Sequence, residues 1–297
     1  MSQHQQDRVY REELLTPLRK CAAYHPKFGA SARSSADDEV EMNLAGFRRL
    51  YGADPLYAWL GLDSPLMYAA HKAAGGMTSI YRQLGIGCER LVRTVLADAL
   101  GLSREQMQWT YDTVDERGRT KRLTLDARID LQDVGSAAAR RRFQAWLVRA
   151  GAFVSRPNPE ELIGVIFEVR QGYKSADSKR QNADIAFGTR AGLNKYLPAI
   201  MIMSTQISIP VIARYRASSM LVLTGSLSED DRSSTLTFFR DVVGYSLSDF
   251  FSRNSDALKE EVETILAQLL SPSALGNRQP RSLFKSPAAS PAPSAAR

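Results

Sequence analysis

The 297-residue chain is poor in the residues that build thiol or imidazole sites, with two cysteines, Cys21 and Cys88, and three histidines, His4, His25 and His71. A disulfide framework is excluded, and a structural zinc centre, which takes about four Cys or His ligands, is nearly so. Long apolar runs are missing as well. The longest strongly apolar stretch is residues 197–203, far short of the ~20 residues that span a bilayer. The opening MSQHQQDRVYREELL is polar and has no signal-peptide core. These absences lead us to expect a protein of the reducing cytoplasm with no membrane association.

The familiar catalytic signatures are also absent: there is no G-x-S-x-G, no Walker A loop and no histidine pair at metal spacing. Gly85-Ile86-Gly87 begins like a dinucleotide fingerprint. Arg90 stands where its third glycine belongs, however, and the segment before it reads as helix rather than strand. Both cysteines fall in expected helices and read as buried thiols rather than nucleophiles.

What is present is the mixture of a globular protein, with 44% hydrophobic and 24% charged residues. The net charge of +7 is unevenly spread. Residues 1–138 hold 18 basic and 18 acidic side chains, 139–195 hold 11 and 5, 196–270 hold 6 and 9, and 271–297 hold four and none. The +6 block coincides with the most unusual polar stretch in the chain, which favours a polyanionic partner.

Apolar periodicity predicts helices over 37–50, 63–84 and 88–100, punctuated at Gly85 and Gly87, with Ser103 capping a short turn. The period then changes. Residues 107–116 and 122–131 are β-rich and flank the turn formers Arg117, Gly118 and Arg119, which predicts a hairpin. A helix over 137–150 follows, ended by Ser155-Arg156-Pro157-Asn158-Pro159. After it we expect a strand over 162–171, a helix over 175–196, a strand over 199–204, a helix over 210–217, a strand over 220–224, and helices over 233–244 and 247–270. The Pro-, Ala- and Ser-rich tail, 271–297, reads as disordered and basic. The fold class is therefore α/β. An N-terminal helical region, 1–104, is suited to dimerisation or DNA contacts, and a core with C-terminal helices occupies 105–270.

Two acidic clusters lie on expected strands. Alternation places Asp126, Arg128 and Asp130 on one face of the second hairpin strand. Glu168 interrupts an otherwise apolar strand, with Arg170 two residues on and on the same face. A carboxylate in a buried strand is costly unless it is paired or metal-bound. A Glu168–Arg170 or Glu168–Arg128 salt bridge is one outcome. Two such strands flanking a basic helix favour the other, oxygen ligation of Mg²⁺.

In this order of elements the sequence resembles the PD-(D/E)XK nuclease superfamily, specifically type II restriction endonucleases. Leu125-Asp126 stands for the family's Pro-Asp, and Glu168-Val169-Arg170 for its Glu-x-Lys; the likeness covers roughly residues 107–224. It implies a restriction-endonuclease-like mixed sheet core flanked by helices. It also implies a Mg²⁺-dependent, sequence-specific double-stranded DNA endonuclease that leaves 5′-phosphate ends. The metal ligands implied are Asp126 and Glu168, with Asp130 as the alternative first acid or a supporting partner. Asp126 is preferred because Leu-Asp-Ala-Arg-Ile mimics the family phrase. Arg170 replaces the expected lysine and is a fixed cation, unable to act as a base at neutral pH. Lys174, just past the strand, is the candidate to take over that role.

The stretch that follows supplies expected DNA contacts in Ser175, Lys179, Arg180, Gln181 and Asn182, since Arg reads guanine bidentately while Asn and Gln read adenine. Arg140, Arg141 and Arg142 are expected to track phosphate. A solvated helix face is the other reading of both sets. A palindromic target implies a homodimer, and a restriction role implies a cognate DNA methyltransferase as genetic partner. Two alternatives stay open: a catalytically altered DNA-binding protein on the same core, and a repair or recombination nuclease that cuts by DNA structure.

Overall fold

A computed structural model of the chain describes residues 2–24, 44–114, 118–173 and 178–270. The β-branched and aromatic runs form two sheets. Strands β1 (Trp109–Val114) and β2 (Thr120–Leu125) make an antiparallel hairpin, with Trp109 opposite Leu125. Strands β3 (Ala127–Asp130), β4 (Gly164–Arg170), β5 (Tyr196–Ile202) and β6 (Leu221–Leu223) form a mixed sheet in the order β3-β4-β5-β6. The β3–β4 pair is antiparallel, and β4, β5 and β6 are parallel to one another.

The single β-rich run expected over 122–131 is thus two strands in different sheets. The chain breaks step at Asp126, between Leu125 of the hairpin and Ala127 of the central sheet. Strand β5 begins earlier than expected and includes Pro198, which has no N–H to donate. It is tolerated because β6 pairs with β5 only from Ala199 onward, so Pro198 faces a strand on the β4 side alone.

Helices α5 (Ala137–Phe153), α6 (Ser178–Leu193) and α7 (Ile209–Ala217) lie on the expected segments. Ser136 caps α5 by accepting the Ala139 amide at 3.1 Å. Past its end the chain turns through Ser155 and Asn158, both at positive φ, into the Pro159 turn. A short helix α8 (Thr235–Thr237) widens into a π-helical turn over Phe238–Val243, and α9 (Leu247–Leu270) follows. Earlier in the chain are α1 (Gln3–Arg19), α2 (Leu44–Gly52), α3 (Pro55–Trp59) and α4 (Pro65–Leu100).

Helix α4 corrects the expected break at Gly85 and Gly87, because it runs through both as one 36-residue helix. Gly87 serves packing rather than punctuation: a Cβ there would strike the Leu14 carbonyl of α1, so its absence lets the two helices approach closely.

The chain divides into two units. The described residues within 1–24 and 75–269 form the larger, and those within 25–74 and 270–297 the smaller. In the larger unit the odd residues of β4 (Val165, Phe167, Val169) join Tyr10 and Leu14 of α1, Leu91 and Val95 of α4, and Phe143 and Trp146 of α5 in one core. On the other face Ile166 packs with Leu125, Phe187 of α6, Tyr215 of α7 and Ile200 of β5. Glu168 and Arg170 belong to this second face by the period of two along a strand. In the smaller unit Phe47 and Tyr51 of α2 stack with Tyr57 and Tyr68. No helix of the described residues is long and apolar enough to cross a membrane. The tail expected to be disordered, 271–297, lies outside the described residues.

Candidate active site

The register of β3 on β4 brings the two acidic motifs together. Ala127 pairs with Phe167, so Asp126, one step before β3, arrives beside Glu168 although 42 residues separate them in sequence. The Asp126 carboxylate accepts the Val169 amide at 2.7 Å through Oδ2, and its Oδ1 lies 3.4 Å from Nη2 of Arg93 on α4. Arg93 also donates Nε–H to the Asp126 main-chain carbonyl. These bonds fix the point at which the chain leaves the hairpin and enters the central sheet.

Glu168 is the half-open member of β4, with Oε1 3.4 Å from Nη2 of Arg170. Both carboxyls titrate late. Burial, then the charge of Glu89, pushes Asp126 up to about 6, although the Val169 amide and Arg93 pull the other way. Burial, then the charge of Asp126, pushes Glu168 up to about 7. Glu89, on α4 one turn before Arg93, is raised by burial as well, and its charge is felt at Asp126. Three carboxylates therefore load one region with negative charge that Arg93 and Arg170 only partly offset.

Behind Glu168 lies a buried network. Arg170 is 5% exposed and pairs with Asp184 of α6 at 2.6 Å. Tyr215 of α7 donates its hydroxyl to Asp184 and lies 3.0 Å from the Tyr173 hydroxyl, and the Arg170 guanidinium lies 4.9 Å from the Tyr173 ring centre. Burial raises the Asp184 carboxyl against the opposing charge of Arg170. Among the described residues Nε and Nη1 of Arg170 have no hydrogen-bond partner. Arg170 is thus an interior clamp between Asp184 and Glu168, a salt bridge of the kind weighed for Glu168 from sequence.

The other expected residues are placed as follows. Asp130 is the clear departure. It pairs with Gly164 at the opposite end of β4, about 13 Å along the strand from Asp126. There it accepts the Tyr196 hydroxyl at 2.8 Å and the Gln132 amide at 3.2 Å. Its carboxylate supports a strand end and is not brought together with Asp126 and Glu168. Lys174 and Ser175 lie outside the described residues.

Lys179 and Arg180 are exposed in the first turn of α6, and the charge of Arg180 favours the ionised forms of Glu89 and Asp184. Gln181 is buried and Asn182 exposed. Their carbonyl oxygens accept Nη1 and Nη2 of Arg214 at 2.8 and 2.6 Å, which aims the Asn182 amide group outward as a donor. Arg140, Arg141 and Arg142 sit near the start of α5, past the Asp130 end of β3. Arg140 donates to the Val134 carbonyl at 2.8 Å, and Arg142 to those of Val242 and Val243 at 3.4 Å each. Arg141 is exposed.

The sequence reading missed Glu89, Arg93, Asp184 and Tyr215. Asp184 carried a signal, because it falls on the stripe Asp184, Phe187, Gly188, Ala191 that α6 buries. Glu89 and Arg93 carried only the four-residue spacing of an ordinary helix pair.

Among the described residues no three Asp, Glu, His or Cys side chains converge closely enough to hold a metal unaided. Mg²⁺ asks for less: one or two carboxylates, completed by water and phosphate oxygens. Asp126 and Glu168 fit that demand in donor type and in their shared excess of negative charge. Comparison of the chain with family models, with curated proteins and with solved structures finds no match.

Proposed function

We propose that this protein is a Mg²⁺-dependent, sequence-specific double-stranded DNA endonuclease of the type II restriction kind, on a restriction-endonuclease-like core. The observation that carries the reading is the meeting of Asp126, at the step into β3, with Glu168 of β4: burial raises both carboxyls, the charge of Asp126 raises Glu168 further, and Arg93 and Arg170 stand beside them. Asp126 and Glu168 would hold the ion, and a bound Mg²⁺ would acidify a water and offset charge on the phosphate.

The chain's own residues prepare that place. The Val169 amide and Arg93 orient Asp126, while the clamp of Arg170 and Asp184 fixes the rotamer of Glu168. In the reaction a water oxygen bonds to phosphorus and the bond to the 3′-oxygen breaks, leaving a 5′-phosphate and a 3′-hydroxyl. A twofold recognition site would call for a homodimer and, in the cell, a DNA methyltransferase that protects host sites. We place the activity in the cytoplasm.

Incubating unmethylated phage DNA with the purified chain and Mg²⁺ is expected to give discrete fragments. DNA left intact across divalent metals and salt concentrations refutes the proposal. The alternative, a DNA-binding protein with an altered core, draws on the burial of Arg170, whose charge is committed to Asp184 and Glu168. Tight DNA binding without metal-dependent turnover selects it.

A further inference from the structure

Beside Asp126 the larger unit holds a cleft of about 640 Å³, walled by α4, by the turn after it and by the end of β2. Arg90 and Arg93, three residues apart on α4, line it together with Arg104, Glu13 and Asp98. We infer that this cleft carries the DNA backbone on the α4 side of the site, with Arg90 and Arg104 each taking a phosphate that flanks the one cut. The inference rests on the nuclease reading above and adds to it the course of the substrate strand.

Two of the acids in the cleft already have partners. Asp98 accepts the Tyr10 hydroxyl at 2.9 Å, and Asp126 accepts the Val169 amide and faces Arg93. Arg93 divides its charge between Asp126, at 3.4 Å, and Glu89, at 3.8 Å. Among the described residues the side chains of Arg90, half-buried, and Arg104, exposed at the cleft rim, have neither an ion pair nor a hydrogen bond. A guanidinium held in a cleft without an acceptor is poised for an oxyanion, because the charge-assisted forked bond to phosphate is the strongest it makes.

The size and lining narrow the ligand. Among the described residues no aromatic ring lines the cleft, which therefore presents no stacking platform for a base, and it is too small to admit a duplex. A stretch of sugar-phosphate backbone fits both facts. With Asp126 in its lining, a strand that presents one phosphate to the Asp126 and Glu168 pair runs its neighbours past Arg90 and Arg104.

The test is the salt dependence of binding to a fluorescein-labelled 30-base-pair duplex in EDTA, where nothing is cut. Each phosphate contact contributes about 0.9 to the slope of log K against log salt. The R90Q/R104Q double variant is expected to lose about 1.8 from that slope and, referred to 1 M salt, to bind about sixtyfold more weakly near 0.1 M salt. R90K/R104K should keep most of the slope, and K259Q, an exposed lysine on α9, should match the wild type.

An unchanged slope in R90Q/R104Q overturns the inference, as does an equal loss in K259Q. If R90Q/R104Q melts early, a wild-type slope in single R90Q and R104Q variants that melt normally overturns it equally. A wild-type chain that cuts phage DNA while R90Q/R104Q keeps its slope discards the cleft alone. A lost slope in a chain that cuts nothing discards the nuclease reading and leaves the phosphate cleft standing.

Discussion

Replacing Glu168 with glutamine removes one negative charge while keeping the side chain's shape and its acceptor for Arg170 Nη2. In the folded chain Glu168 is pushed up to about 7, against 4.5 for the free side chain. At about 1.4 kcal/mol per tenfold change in proton affinity, ionising this carboxyl costs the folded state about 3 kcal/mol. The side chain is 23% exposed, so solvent screens little of this. The sign follows from the raised pKa. Below about pH 4 the group is protonated folded and unfolded, and the charge costs nothing; as pH rises through about 7, stability is lost.

E168Q is therefore expected to match the wild type near pH 4 and to exceed it by about 3 kcal/mol at pH 8, both in EDTA. Urea unfolding followed by circular dichroism reads this as a shift in midpoint at constant slope, about 1–2 M for a slope in the usual range. Mg²⁺ should narrow the gap by stabilising the wild type alone, since a ligand adds stability only to the state that binds it. E168Q no more stable than the wild type at pH 8, or a gap that is the same at pH 4, would refute the argument that burial beside Asp126 disfavours the Glu168 charge.

D126N should abolish Mg²⁺-dependent cleavage of phage DNA, whereas D130N should cut at close to the wild-type rate and lose about 1 kcal/mol of stability with its bond to Tyr196; comparing digests and urea midpoints checks both. D184A leaves the Arg170 charge buried without its nearest partner and should cost about 3–5 kcal/mol by urea unfolding, with D184N milder because it keeps an acceptor for Arg170. G87A forces α1 and α4 apart at Leu14, and calorimetry should register a loss of about 1–3 kcal/mol, against about zero for G85A, where a Cβ meets nothing within 4 Å.

The parts of the site that lie on strands were legible in the sequence because a strand has a rigid period. Glu168 stands out within LIGVIFEVR, and alternation from Asp126 puts one carboxyl on the face that meets it. What alternation cannot carry is the break at Asp126. The residues on both sides are strand formers, and only the docking of Leu125 against Ile166 and of Ala127 against the opposite core separates the sheets.

The helical contributors were hidden for a related reason. Glu89 and Arg93 look like a solvent-facing pair until α4 is laid against β3, and Asp184 acquires its role only when Arg170 turns inward. Gly85 and Gly87 misled because glycine serves equally to end a helix and to let another backbone approach, a choice decided by Leu14, some seventy residues away. Asp130 shares a face with Asp126 by its spacing, while the register carries it to the far end of β4, a separation that alternation does not reveal.

The central claim is that Asp126 and Glu168 together form a divalent-cation site, and calorimetric titration with Mn²⁺ at pH 8 tests it most directly. The account predicts saturable binding by the wild type and by D130N, and its loss in both D126N and E168Q. Binding that survives in D126N and E168Q, or that disappears in D130N, contradicts it.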